Sequence, residues 1–135
     1  MIKFQQLKVG DFVKLNDSGT IREGEVVEVN QGTHQVCIHN GVQDFWYDAN
    51  QLEPYPLDEA QLMRLKFEKD ISEDGKVKYK KGAFRIYLHQ PGQFDKLDLK
   101  YREEVRHIQA PIHLHELQNH FYEMTKVHLD KADFN

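Results

Sequence analysis

The segment "EGEVVEVNQGTHQVCIHNGVQDFWYD" (23–48) decides how the first half of this chain is read. Three runs rich in β-branched and aromatic residues are separated by two short polar breaks, Gln31-Gly32-Thr33 and Asn40-Gly41. Each run has the length of a strand and no helical period. The first ends at Asn30, "HQVCIHN" returns, and "VQDFWYD" follows Asn40-Gly41, a pair that suits a type I′ hairpin turn. Upstream, "LKVGDFVKLN" (7–16) places a Gly-Asp turn before Phe12, Val13 and Leu15. Downstream, "DANQLEPYP" (48–56) supplies a short turn and a last strand. Short strands at tight spacing predict a five-stranded SH3-like β-barrel over residues 1–56.

Residues 57–135 have a different pattern. In "PLDEAQLMRLKF" (56–67), Asp58 is an N-cap with Gln61 three positions on, and Leu57 and Leu62 occupy the positions of a hydrophobic staple. A short helix over Glu59–Lys66 is expected. A turn at Asp74-Gly75 then separates strand-like stretches, "VKYKK" and "AFRIYLHQ", and "QPGQ" leads into "FDKLDLKY". At the end, Leu114, Leu117, Phe121 and Met124 form one apolar stripe at helical spacing. His113, Glu116, His120 and Glu123 follow the same spacing on the opposite side, with His115 on a flank near Gln118 and Tyr122. The expected class is α+β: an N-terminal SH3-like barrel followed by a helix, a three- or four-stranded antiparallel meander and a final helix. Leu117 and Phe121 are expected to bury against that meander.

With 39% hydrophobic and 30% charged residues among 135, the chain is globular rather than disordered. Its single cysteine, Cys37, excludes an internal disulfide and a multi-cysteine zinc site. The absence of a leader-like or long apolar run predicts a soluble cytoplasmic protein with no membrane contact. Net charge is −4, and residues 1–56 carry four basic against eight acidic side chains. Such a surface repels nucleic-acid phosphates, whose binding depends on Lys and Arg.

Four groups of residues could carry chemistry or binding. His113, Glu116 and His120 make a two-histidine, one-carboxylate set. His113 and His120 are seven positions apart, roughly 10 Å along a helix axis, too far for one ion without other ligands. The His113-Leu114-His115 triplet would suit a metal site on a strand, but on a helix the two imidazoles are expected to diverge. "KVKYKKGAFR" (76–85) sets Lys76, Lys78, Lys80, Lys81 and Arg85 around Tyr79 and Phe84, a pattern suited to single-stranded nucleic acid. On a strand, Lys76, Lys78 and Lys80 share one face, the solvent side of a guarded edge hairpin, with Val77 and Tyr79 on the other. "DFWYD" (44–48) places Phe45 and Tyr47 on one face and Trp46 on the other, either as core or as a protein-binding surface. Nucleophilic catalysis has little support: Ser18 and Ser72 sit in polar turns, and Cys37 reads as a buried small hydrophobe. No phosphate-binding glycine motif occurs. No catalytic residue and no cofactor is expected.

Two segments carry a resemblance. "EPYPLDEAQLMRLKFEKD" and "HLHELQNHFYEMTKVHL" resemble a group of short, uncharacterised Bacteroidetes and prophage proteins. Members read "PIPLTEEWLLKFGFEK" in the middle and "YVHQLQNLYFALTGEEL" at the end, after an "LRIGNYV"-like start similar to "LKVGDFVKLN". The closing pattern falls on His115, Glu116, Leu117, Gln118, Asn119, His120, Phe121 and Tyr122. This chain departs where it has His120 instead of Leu, His113 instead of an aromatic, and Thr125-Lys126 instead of Thr-Gly. The resemblance implies size, fold and a phage or mobile-element setting, and it implies no activity. The expected function is therefore a non-enzymatic binding or accessory protein acting through protein contacts. The alternatives are a nucleic-acid-binding factor using residues 76–85 and, more distantly, a metal-dependent enzyme.

Overall fold

A computed structural model describes residues 2–17 and 19–129. Its elements are two five-stranded antiparallel sheets and two α-helices, an α+β arrangement. The chain divides into two compact units. The first takes the residues up to Pro56 together with His113–Asn119; the second takes Leu57–Ile112 and the chain from His120.

In the first unit, β1 (Phe12–Asp17), β2 (Thr20–Asn30), β3 (Gln35–His39) and β4 (Asp44–Asp48) run as a meander. A 3-10 turn at Ala49–Gln51 then leads into β5 (Leu52–Pro54). The sheet order is β4-β3-β2-β1-β5, so the last strand pairs with the first. Alternation sends Val13 and Leu15 of β1, and Val36 and Ile38 of β3, into one core with Ile2, Phe4, Leu7, Val26 and Leu52. Ladder register shifts between Val26 and Glu28, the bend by which a long strand serves both neighbours.

Two turns differ from expectation. His34 is not in β3: it ends the preceding turn at φ 56°, and its ring stacks on Phe4 at 4.8 Å. Asn40-Gly41 is not a type I′ pair, because only Gly41 has positive φ. Asn40 instead accepts the backbone N–H groups of Val42 and Gln43 on Oδ1 (both 3.0 Å), a side-chain turn that needs no left-handed asparagine.

In the second unit, α1 (Glu59–Arg64) begins as its sequence predicts, with Asp58 accepting the Gln61 N–H at 2.9 Å. It ends two residues earlier than expected. Lys66 N–H donates to Met63 O and Phe67 N–H to Leu62 O, a Schellman closure that leaves Lys66 left-handed at φ 65°. The sheet comprises β6 (Glu68–Ile71), β7 (Val77–Lys81), β8 (Phe84–Gln90), β9 (Gln93–Tyr101) and β10 (Glu104–Ile108), in the order β10-β9-β8-β7-β6. It has five strands rather than three or four. β10 is masked in the sequence because Arg102 takes the left-handed turn position (φ 57°) that glycine usually marks.

The second helix, α2 (Leu114–Thr125), buries all four residues of its predicted stripe. Phe121 packs in the second unit against Phe84 (ring centroids 4.8 Å) and Phe67 (6.5 Å). Leu117, expected beside it on the meander, belongs to the segment that the first unit takes.

Gly24, opposite Val13, leaves no room for a side chain: a Cβ there would lie 2.5 Å from Ile38 Cγ2 and 3.2 Å from Leu15. Ile38 is β-branched and fully buried, so it cannot swing aside. Gly24→Ala is expected to destabilise the protein by roughly 1–3 kcal/mol, read as a lowered urea midpoint at unchanged slope. An unchanged midpoint would show that this core yields to a methyl group.

Candidate functional site

Among the described residues, β4 is an outer strand, paired on one side only, by β3. Its register sets Phe45 opposite Ile38 and Tyr47 opposite Val36, on the core side, and Trp46 opposite Cys37. Tyr47 packs against the core, whereas Phe45 and Trp46 stay 44% and 43% exposed. Two large, part-exposed aromatic side chains thus stand on opposite faces of a strand that has no strand partner on its outer side among the described residues. Asp44 and Asp48 stand at its two ends; Asp44 Oδ1 is 2.7 Å from His39 Nδ1, and Asp48 accepts from Gln35 Nε2 at 3.2 Å.

The basic stretch is placed differently from the edge hairpin expected of it. β7 lies inside the sheet, between β6 and β8. Register brings acidic neighbours from β6: Lys78 reaches Asp70 at 3.6 Å and Lys80 reaches Glu68 at 3.9 Å, while Lys76 is 3.9 Å from Asp74. Tyr79 and Phe84 are buried, and the Tyr79 hydroxyl donates to Glu59 at 2.8 Å, so neither ring can stack on a base. Lys80, Lys81 and Arg85 gather instead with Lys66 and Glu68 around a cleft of about 300 Å³.

The histidines of 113–120 are likewise parted. His113 precedes α2 in an extended bridge to Pro56, and Leu114 N–H donates to Tyr55 O. The His113 and His115 rings therefore do not diverge; they lie parallel with centroids 5.9 Å apart. Glu116 caps the helix by accepting His113 N–H, and its Oε1 also lies 2.9 Å from His113 Nδ1. His120 Nδ1 meets the Arg106 guanidinium at 2.9 Å, so a cation already stands beside this ring. Among the described residues, no group of three or more His, Cys, Asp or Glu side chains is arranged to hold a metal ion. Another row went unnoticed in the sequence: Asp98 Oδ1 lies 2.8 Å from His107 Nδ1 and 3.3 Å from His89 Nε2. Partial burial pushes the Asp98 carboxyl up, but those two hydrogen bonds outweigh it and hold it below its ordinary range. The only hint was an equal spacing of nine residues.

Of the candidate nucleophiles, Ser18 lies outside the described residues. Ser72 bonds to Asp74 within its turn. Burial, then Asp44 and Glu28, push the Cys37 thiol up and away from the reactive thiolate.

Inside the first unit is a polar cluster that the flanking sequence did not announce. Gln118, 3% exposed, accepts Phe12 N–H on Oε1 (2.9 Å) and donates Nε2–H to Gly10 O (2.8 Å). Asn119 donates to Gln6 O at 2.6 Å and hydrogen-bonds the Asp11 carboxyl, which also accepts Lys8 N–H at 2.9 Å. These are the "LKVGDFV" and "HELQN" segments of the resemblance, brought together. Burial pushes Asp11 up to about 8 despite those hydrogen bonds. His115 is fully buried, with no partner for either ring nitrogen among the described residues, and burial depresses it to about 4 against the pull of Glu116.

No family model, curated protein or solved structure matches this chain.

These two buried groups predict a pH profile. Folded Asp11 keeps its proton up to about pH 8, whereas the unfolded group loses it at its ordinary 3.8, so folding is favoured less as pH rises through that window. His115 acts oppositely between its ordinary 6.5 and about 4, where the unfolded ring binds the extra proton. The two slopes cancel below pH 6.5, leaving a loss of about 2 kcal/mol between pH 6.5 and 8, at roughly 1.4 kcal/mol per pH unit. Urea titrations across this range should show that fall in the parent and its disappearance in Asp11→Asn. Equal slopes in both proteins would place the proton elsewhere.

Proposed function

We propose that this chain is a non-enzymatic binding protein that acts through protein contacts, with β4 as its docking edge. The observation that carries this reading is the exposure of Phe45 and Trp46 on a strand with one unpaired side. Edge strands of this kind take an added extended segment through main-chain hydrogen bonds, while pockets beside the aromatics select its side chains. The first unit is read as an SH3-like small barrel. Its support is the order β4-β3-β2-β1-β5, the bent β2, and the 3-10 turn that returns β5 to β1. Closure into a barrel belongs to the proposal.

The occupant is an extended basic peptide segment. Residues 1–56 carry twice as many acidic as basic side chains, and Asp44 and Asp48 bracket the two aromatics. Charge of this sign steers a basic partner and repels nucleic acid. A prophage or mobile-element origin and a cytoplasmic setting are parts of the same proposal. The origin rests on the resemblance of the two sequence segments. No helix among the described residues is long and apolar enough to cross a membrane.

Selection from a displayed library of random twelve-residue peptides is the direct test. Enriched sequences should combine Lys or Arg with alternating apolar residues, and their binding should perturb the amide resonances of β4. Trp46→Ala should weaken them by about 2 kcal/mol, roughly thirtyfold, as for a buried aromatic anchor. Enrichment of no basic sequence, affinity untouched by both Phe45→Ala and Trp46→Ala, or self-association through β4 would each refute this reading.

A further inference from the structure

We infer that the cleft formed by Lys66, Glu68, Lys80, Lys81 and Arg85 in the second unit is a binding site for a compact phosphate dianion, such as a phosphate monoester or pyrophosphate. The cleft has a volume of about 300 Å³, and four cations and one carboxylate line it with Gly82. That excess is local. Along the same sheet, Lys78 and Lys69 lie closer to an acid, Asp70 at 3.6 Å and Glu59 at 2.8 Å. A positive cleft on a chain of net charge −4 is a focused field rather than a general basic surface.

The cations sit on rigid supports. Arg85 Nη1 donates to the carbonyls of Gly82 and Phe84, which orients the guanidinium at the β7–β8 turn. Lys81 Nζ donates to Leu65 O at 2.9 Å, which holds its ammonium at the end of α1. Lys80 lies 3.9 Å from Glu68, too long for a tight ion pair and replaceable by a stronger anion. The Lys66 ammonium has no hydrogen bond or ion pair among the described residues, although its left-handed backbone would be adopted more easily by glycine. Its side chain does nothing for the local fold, and a ligand in the cleft would give it a partner.

The lining also limits what binds. It contains no aromatic side chain, since Tyr79 and Phe84 point into the core, so the site reads charge and offers no platform for a base. Arginine's planar fork pairs two oxygens of one phosphate, and lysines neutralise the remaining charge. A terminal phosphate suits the cleft better than a diester, which carries one charge per group.

Lys66→Gly gives a test in which folding and binding separate. Calorimetric titration of the full chain with pyrophosphate, at about 150 mM salt where long-range attraction is screened, should give a dissociation constant of about 0.1 mM. Lys66→Gly should bind at least about tenfold more weakly while its melting temperature holds or rises. Arg85→Gln should lose binding similarly. Two further arms identify the source of the phosphate. A short oligonucleotide with a 5′-phosphate that binds more tightly than pyrophosphate assigns the site to nucleic-acid ends; one that binds no better assigns it to small phosphate compounds. No heat from pyrophosphate at 5 mM, roughly fifty times that constant, or equal affinity in the parent and both variants, would overturn the inference.

Discussion

The side-chain amide of Gln118 holds the first unit together in a way no local rule supplies. β5 pairs with β1 only at Val13, Leu15 and the residue between them. Just before this ladder, Phe12 N–H and Gly10 O would be buried without partners on that side. The Gln118 amide has one acceptor and two donors, and it satisfies both groups as a strand would. Leaving a buried backbone group unpaired costs about 1–3 kcal/mol, whereas the made bond gains only about 1, so its necessity exceeds its strength. The requirement explains why the first unit takes His113–Asn119 from the far end of the chain. His113 and Leu114 enter by pairing with Pro56 and Tyr55, and Asn119 completes the cluster at Gln6 and Asp11.

Local features were legible in the sequence and long-range polar ones were not. Strand-length runs between polar turns revealed β1 to β4, and Asp58 with the Leu57–Leu62 staple revealed α1, because each depends on neighbours a few residues away. Turns were read through glycine and asparagine, so the turn at Arg102 was missed and the boundaries at His34 and Lys66 were displaced, each at a left-handed backbone without glycine. Gln118 and Asn119 looked like polar members of a helical flank. Their partners lie more than a hundred positions earlier, and hydrogen bonds of that span leave no periodic trace. The resemblance picked out both segments without giving the physical reason that joins them.

The basic stretch failed for a related reason. Spacing correctly put Lys78 and Lys80 opposite Tyr79, but it could not say which strand would lie alongside. β6 brings Asp70 and Glu68 into register with those lysines, which interrupts what looked like a continuous phosphate track. What survives is the end of the hairpin, where Lys80, Lys81 and Arg85 line one cleft with Lys66. The charge that matters is thus set by tertiary pairing, and its location differs from the run of lysines that first drew notice.

The four outer strands of the two sheets give the strongest reason to single out β4. An exposed edge is a template for unwanted pairing, and proteins guard it with charge, proline or brevity. β5 has three residues and ends at Pro54. β6 carries Glu68, Lys69 and Asp70, and β10 carries Glu104, Arg106 and His107. In β4, by contrast, the centre is Phe45-Trp46-Tyr47, and charge appears only at its ends, as Asp44 and Asp48. Two acidic residues at the margins leave the backbone open and discourage a second copy of the same acidic strand, since pairing would set like charges together. A strand of opposite charge meets no such barrier. The same two aspartates therefore disfavour pairing with a second copy of this strand, and under the proposed reading they favour a basic partner on its aromatic edge.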